Sequence, residues 1–367
     1  MRKLAHIERI VSLEPITGAD RIEKATVLGW ECVVKKGDFK VGDLCIYIEV
    51  DSIVPDTPYF EFMKERKFRV RTIKLRKQIS QGLVLPVDIL ETHIQDFNEG
   101  DDITEILQIK KHDPQAEAEA KEVKKRTEKY PSYIRWLLQY SFFRRMFYRF
   151  GVKTKNFPVW LKKTDEERIQ NIPNVFKQWN GQLCYYSEKL EGQNSNYAIY
   201  KPKKFIDRLF AGEFYVCSRE VHKVTESNNN WWQVARKYDI ENKLRKYGDN
   251  IAIQGEIVGP GIQGNIYDFD ELKYFVYNVW DIDKQRYFNF HEKMDFCNLF
   301  GFETVPILGE FIMTEDMTVK SMLDKAHGKT VISENSCLRE GIVIRQIKDD
   351  SKSFKAVDPI YLLKGGE

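Results

Sequence analysis

The sequence predicts an α+β protein of two domains, on three observations. At 367 residues the chain is longer than one ordinary domain. Its first hundred or so residues read as short strands cut by Gly, Pro and Asp turns, and beyond residue 151 strands alternate with helix-like stretches. Hydrophobic residues make up 42% and charged residues 31%, a globular composition with apolar material for a core. The formal net charge of +3 excludes a polycation, so a nucleic-acid surface must come from local clustering.

Residues 1–105 form the first predicted domain. Val27–Val34 is β-rich around Gly29 and Trp30, and Leu44–Val50 follows a turn at Gly42-Asp43. Phe68–Leu75 alternates apolar and basic residues, and Leu83–Leu85 ends at Pro86. Residues 59–66 suit a short helix. A small barrel of about five strands with one helix is the OB-like pattern.

Residues 106–150 are predicted to be a helical linker, charged as far as 130. From 131 it becomes aromatic and basic, with Trp136, Tyr140, Phe143 and Phe147 at helical spacing. One face of such a helix packs on its own domain, and a membrane-surface helix is the alternative. Residues 151–367 form the second domain, with a helix-like stretch over Asn228–Lys246 and buried strands over 251–258 and 272–282.

Six cysteines without a C-x-x-C pair, and no secretory signal, predict free, mostly buried thiols in a reducing intracellular compartment. Scattered histidines argue against structural zinc. No apolar run reaches the roughly 18 residues a spanning helix needs.

The chemistry lies in ordered segments of the second domain. Tyr186–Asn196 reads YSEKLEGQNSN and sets Lys189 two residues before Glu191 and three before Gly192. Phe214–Arg219 reads FYVCSR. Ala252–Asn265 (AIQGEIVGPGIQGN) carries Glu256 into a loop with Gly259, Gly261 and Gly264; without a following Lys-Ser/Thr these glycines form a tight turn, not a Walker loop. Tyr274–Asp281 reads YFVYNVWD. REGIVIR (Arg339–Arg345) and SFKAVDPIYLLK (Ser353–Lys364) close the series.

In this order the segments resemble the motif set of the covalent nucleotidyltransferases, the ligases and capping enzymes. GEIVGPGIQGN and KKTDEERIQNIP (Lys162–Pro173) narrow the resemblance to nick-sealing RNA ligases of the Deinococcus and Naegleria type, which carry an N-terminal OB-like domain. The resemblance implies a nucleotidyltransferase fold of ATP-grasp-like mixed antiparallel sheets with helices. It also implies a three-step reaction: Lys189 takes AMP from ATP, the AMP passes to an RNA 5′-phosphate, and a 3′-hydroxyl displaces it to seal the strand. RNA is the implied partner, as a nicked duplex or as 3′-hydroxyl and 5′-phosphate ends. No obligate protein partner is evident. A role in RNA repair is the implied setting.

A free lysine has a pKa near ~10.4, so attack near neutrality requires that its ammonium form be disfavoured. The resemblance places Lys355 beside Lys189 as a cation, with Mg²⁺ or Mn²⁺ adding positive charge among hard oxygen ligands. It makes Glu340 the first candidate metal contact and Glu191 the second. Tyr277 and Val343 are implied on the two faces of adenine, Glu256 on a ribose hydroxyl, and Arg219 on phosphate or the RNA end. Glu188 flanks the nucleophile on the nucleotide side and Asn194 on the RNA side. In a regular strand Glu340 and Val343 point to opposite faces, so both enter one pocket only if the strand starts near Gly341 or bends there.

Three positions depart from the family pattern: Glu191 stands for the commoner Asp, Asn278 for Asp, and Val357 for a second lysine, a role Lys352 or Lys364 is placed to fill. In the first domain, Lys35, Lys36, Arg69, Arg71, Lys74, Arg76 and Lys77 form a basic stripe, with Arg69 and Arg71 on one outward face. Arg69, Arg71 and Arg76 are the expected RNA contacts, against the plainer reading of a solvated face. Two other functions compete. A DNA ligase or GTP-using capping enzyme carries an OB domain after its catalytic domain, whereas this sequence stops soon after the last motif. A catalytically decayed RNA-binding protein rests only on the three altered positions.

Overall fold

The computed structural model describes residues 3–90, 97–112, 155–202, 212–224 and 226–364. At the N-terminus a five-stranded antiparallel sheet runs in the order Trp30–Lys35, Ile22–Val27, Ala5–Pro15, Leu44–Ile48, Leu83–Pro86. The long strand Ala5–Pro15 pairs with Leu44–Ile48 through its first half and with Ile22–Val27 through its second, with a register shift between Ile10 and Ser12. Such a shift bends a strand, so one strand serves both sides of a curved half-barrel, as in an OB fold. Alternation sets the core: Trp30, Cys32 and Val34 point in, while Glu31 and Lys35 point out. The predicted helix is a 3-10 helix, Pro58–Arg66, that buries Phe60 and Met63, three residues apart and therefore on one face.

Phe68–Leu75 is not one alternating strand. Phe68 has a positive φ of 59°. Arg69–Val70 pairs with Ser52–Ile53, and Ile73–Leu75 turns back on Gln78–Ser80 as a separate hairpin. Arg69 is consequently buried and ion-paired to Asp51 at 3.4 Å, while Arg71 and Arg76 are exposed. Arg69 and Arg71 therefore do not share an outward face. Lys110–Lys111, expected in the linker, forms a strand on Ser52–Ile53. The rest of the linker reading, residues 113–150, lies outside the described residues.

The C-terminal part holds two large sheets. The seven-stranded sheet runs Lys155–Asn156, Val221–His222, Glu213–Cys217, Gln193–Tyr200, Ile251–Val258, Lys273–Asp281, Arg286–Tyr287, all antiparallel. The five-stranded sheet runs Glu167–Arg168, Asp349–Val357, Gly341–Gln346, Leu183–Lys189, Ile307–Ile312, parallel only at its first pairing. The expected helical stretch is two helices, Asn230–Lys237 and Ile240–Tyr247, broken where Asp239 adopts a left-handed conformation (φ 50°). They bury Trp231, Val234, Ile240 and Leu244 against the seven-stranded sheet. Among the described residues no helix is long and apolar enough to cross a membrane. All six cysteines are free, and five are buried.

The two parts meet at the hairpin tip before Trp30. Gly29 N–H donates to the Gln170 carbonyl at 2.8 Å, and a Cβ on Gly29 would run into the Gln170 backbone and Val319. Trp30 Nε1 donates to Asn171 Oδ1 at 2.5 Å, Asn171 Nδ2 donates to Glu49, and Arg168 pairs with Asp51 at 3.0 Å.

Candidate active site

The chain leaves the five-stranded sheet at Lys189 and enters the seven-stranded one at Gln193. The crossing requires Gly192, where a Cβ would strike the Ile257 carbonyl oxygen. Residues of both sheets line a cavity of about 340 Å³ around this crossing. In the five-stranded sheet Ser187, Val343 and Lys355 stand directly opposite one another, so their side chains share a face. Lys189 and Arg345, each two residues along a strand, fall on the same face, and all five line the cavity.

Glu340 escapes the alternation because its strand begins at Gly341, the arrangement that lets Glu340 and Val343 share one pocket. Gly341 itself admits no Cβ, which would meet the Ala356 carbonyl oxygen. From the seven-stranded sheet come Asn194 and its direct partner Glu256. Tyr277 is placed by an irregularity: Gly255 pairs with Val276 and Gln254 with Asn278, leaving Tyr277 as the extra residue of a bulge that aims it at the cavity. Its hydroxyl meets Thr164 Oγ1 at 3.2 Å and accepts from Asn194 Nδ2.

Lys189 Nζ lies 2.5 Å from Glu340 Oε1. Burial works against its charge, but Glu340 first, then Glu256 and Glu166, outweigh that and raise its pKa above the ordinary lysine value. This differs from the expectation that Lys355 would press the ammonium toward neutrality: Lys355 Nζ is 3.3 Å from Asp165 Oδ1, and the groups that set the charge of Lys189 are carboxylates. Burial, reinforced by Glu340 and Glu166 against the cations Lys189 and Arg219, pushes Glu256 up to about 8. Burial also raises Glu191, whose carboxylate accepts from the Tyr361 hydroxyl and whose N–H donates to Tyr267 Oη at 2.8 Å.

The remaining expected residues are spread around this centre. Arg219 is 3.2 Å from Asp165 and 4.0 Å from Glu220. Glu188 turns to the other face of its strand, where its carboxylate accepts from Val331 N–H at 3.0 Å at the cavity edge. Asn278 is buried away from the cavity, its amide donating to Gln254 Oε1 at 3.3 Å. Val357 packs with Tyr361 and Leu362, and neither Lys352 nor Lys364, both exposed, lines the cavity. Arg69, Arg71 and Arg76 lie outside it. Gly259, Gly261 and Gly264 all have positive φ, consistent with tight turning.

Sequence reasoning missed Thr164, Asp165, Glu166, Arg345 and Tyr361. All but Tyr361 line the cavity, and all lie in segments whose resemblance was noticed but whose individual residues were given no role. Among the described residues no three His, Cys, Asp or Glu side chains converge as a cage. One or two carboxylates on a polar cavity wall, Glu340 and Glu191, suit a hard cation that keeps most of its water.

The family model for RNA ligases matches residues 183–357, and one for an OB-fold domain matches residues 4–87. Among solved structures, a lysine-to-alanine variant of the Naegleria gruberi RNA ligase without ligand is 30% identical, with TM-score 0.81 over 99% of each chain. A glutamate-to-alanine variant of the same ligase with ATP and Mn is 29% identical, with TM-score 0.81 over 100% of each chain. The Naegleria gruberi enzyme with pyrophosphate is 30% identical, with TM-score 0.80 over 100% of this chain and 99% of that one. No curated protein matches the chain by sequence.

Proposed function

This chain belongs to the RNA ligase family, and we propose on that premise that it uses ATP to join an RNA 3′-hydroxyl to an RNA 5′-phosphate through AMP carried on Lys189. The observation that carries the proposal is the convergence of Lys189, Glu340, Glu256, Tyr277, Val343 and Lys355 on one cavity from two sheets.

In the first step Lys189 Nζ attacks the α-phosphorus of ATP. A nitrogen–phosphorus bond forms, the bond to the departing pyrophosphate breaks, and Nζ gives up a proton. Lys189 rests as an ammonium held by Glu340, so a first proton must leave before attack, with Glu340 Oε1 at 2.5 Å the acceptor in reach, and the proton given up as the nitrogen–phosphorus bond forms is a second one. Glu340 and Glu191 would hold a Mg²⁺ or Mn²⁺, which would supply positive charge against the phosphates and, by drawing on the carboxylate charge, would weaken the hold that keeps Nζ protonated. Tyr277 and Val343 offer flat and apolar surface to adenine. Glu256, with its pKa near 8, keeps much of its proton at neutrality and binds a ribose hydroxyl as donor or acceptor. Lys355 and Arg219 face phosphate oxygens. In the later steps AMP passes to the RNA 5′-phosphate, and the 3′-hydroxyl displaces it.

RNA contact falls to the exposed Arg71 and Arg76 outside the cavity and to Asn194 on the cavity wall. Exposed Tyr59 and Phe62, three residues apart on the 3-10 helix, add a stacking surface within the same basic stretch. A repair role is the setting that the family resemblance supports.

The test is a substrate panel. The chain, with ATP and either metal ion, is given nicked duplexes whose 3′-hydroxyl and 5′-phosphate strands are RNA or DNA, with GTP as the alternative nucleotide. Sealing of RNA nicks with ATP is expected. Sealing confined to DNA, or dependence on GTP, would favour the other nucleotidyltransferases. RNA binding without any sealing would favour a decayed enzyme.

A further inference from the structure

The two surfaces offered to adenine lie on different sheets, Tyr277 on the seven-stranded one and Val343 on the five-stranded one. One buried side chain bonds to both sheets. Lys293 sits near the start of the helix Phe290–Phe300, whose first turn is fixed by reciprocal bonds between Asn289 and Glu292. It is 1% exposed. Its Nζ donates to Asp350 Oδ2 at 2.5 Å and to Tyr185 Oη at 2.6 Å, both in the five-stranded sheet. It also donates to the Tyr277 carbonyl at 3.2 Å, in the seven-stranded sheet. An ammonium has three N–H donors, so these contacts use them all. Tyr185 Oη in turn donates to Asp350 Oδ1 at 2.9 Å, which closes a ring of three side chains.

Both ends of this bridge bear on the space between Tyr277 and Val343. Tyr185 stands opposite Arg345, and the next row on the same face, Ser187 opposite Val343, lines the cavity. Tyr277 is the extra residue of a bulge and has no partner across the ladder on Ile251–Val258. Lys293 holds its carbonyl, while Thr164 and Asn194 hold its hydroxyl. A buried ion pair often contributes no more stability than apolar side chains of its size. What Lys293 adds is direction, since its three donors tie one sheet to a fixed point on the other. We propose that Lys293, held by Asp350 and Tyr185, is a positioning residue that sets the spacing and tilt of Tyr277 over Val343, and so the fit of the nucleotide's base. The proposal rests on the reading that Tyr277 and Val343 take the two faces of adenine. Lys293 does not line the cavity and acts through the Tyr277 backbone.

The experiment is calorimetric titration of the full chain, freed of nucleotide, with AMP and separately with inorganic pyrophosphate, which has no base. One variant is Lys293→Met with Asp350→Leu, which removes the ion pair and leaves neither charge buried. The other is Tyr185→Phe, which removes one oxygen of the ring and no charge. Each is first shown to melt cooperatively well above the assay temperature. The double change is expected to weaken AMP binding about three- to tenfold, part of the value of one stacking face. Tyr185→Phe is expected to weaken it about two- to threefold, the net value of one hydrogen bond. Pyrophosphate affinity is expected to stay unchanged in both. In a Tyr277→Ala background the double change is expected to leave AMP affinity where Tyr277→Ala alone puts it. Equal weakening of AMP and pyrophosphate would show a general loosening of the cavity and would overturn the proposal. So would unchanged AMP affinity in both variants, or a loss that persists in full without the Tyr277 ring. Tyr185→Phe carries the test by itself where the double variant does not fold. AMP affinity unchanged by Tyr277→Ala alone would sink the stacking reading and this proposal with it. Affinity lowered by Tyr277→Ala but not by the Lys293 and Tyr185 variants would sink this proposal alone.

Discussion

Lys189 and Lys293, both in the C-terminal part, each lie 2.5 Å from a carboxylate, and they behave in opposite ways. Lys293 and Asp350 are 1% and 0% exposed, and Lys293 also reaches the Tyr185 hydroxyl at 2.6 Å. Burial there, with nearby Arg345, outweighs Asp350 and lowers the lysine pKa. Lys189 and Glu340 are 26% and 16% exposed and open onto the cavity, and the added carboxylates Glu256 and Glu166 turn the balance upward. Distance to the nearest opposite charge therefore does not decide what a lysine is for. The surrounding charge and access to a ligand decide it: Lys293 is sealed, while Lys189 sits among acids that a cationic or phosphate ligand can reorganise. The two sites touch through Tyr277, whose carbonyl accepts from Lys293 Nζ at 3.2 Å while its ring lines the cavity.

The largest expected effect breaks the sealed member. Lys293→Met leaves Asp350 buried without its cation and should cost about 3–5 kcal/mol of stability in urea unfolding, with most of it recovered when Asp350 is also made apolar. Lys189→Met should change stability by less than about 1 kcal/mol. Similar losses at the two positions would erase the distinction between sealed and open pairs.

Tyr277→Ala probes the wall between them. Loss of one stacking face should weaken ATP binding by about 1–3 kcal/mol, measured by equilibrium titration, whereas Tyr277→Phe should retain most of the affinity. Arginines of the N-terminal region extend the same contrast. Arg71→Ala with Arg76→Ala should weaken RNA binding and reduce its salt slope by about two, while Arg69→Ala should lower stability and leave that slope unchanged.

The smallest effect concerns a sealed cation near the domain junction. Burial alone would lower His6, but hydrogen bonds to Glu49 and Glu8 outweigh it and raise its pKa to about 9. A raised folded pKa means that the stability from this charge is complete below the unfolded value near 6.5 and fades as pH rises through about 9. His6→Gln should flatten the fall in melting temperature across that window. An unchanged profile would mean that His6 is not charged at neutrality.

Fold class was legible because period-two burial and turn residues are local signals, as in Trp30–Lys35. Lys189, Glu256 and Glu340 stood out because ordered segments carry a resemblance that spacing alone does not. What escaped was set by partners distant in sequence. Arg69 looked like part of an outward stripe until Asp51 drew it inward. Asp165, Glu166 and Arg345 gain meaning only once two sheets face each other across the cavity. The aim of Tyr277 depends on one extra residue in a ladder, invisible without the register.

The most direct test of the account is to incubate the chain, freed of prebound nucleotide, with ATP and Mg²⁺ or Mn²⁺ and to map any added AMP by peptide mass spectrometry. The account predicts one AMP on Lys189, lost in Lys189→Met. AMP on Lys293 or another lysine, or none on a folded chain with either metal ion, would contradict it.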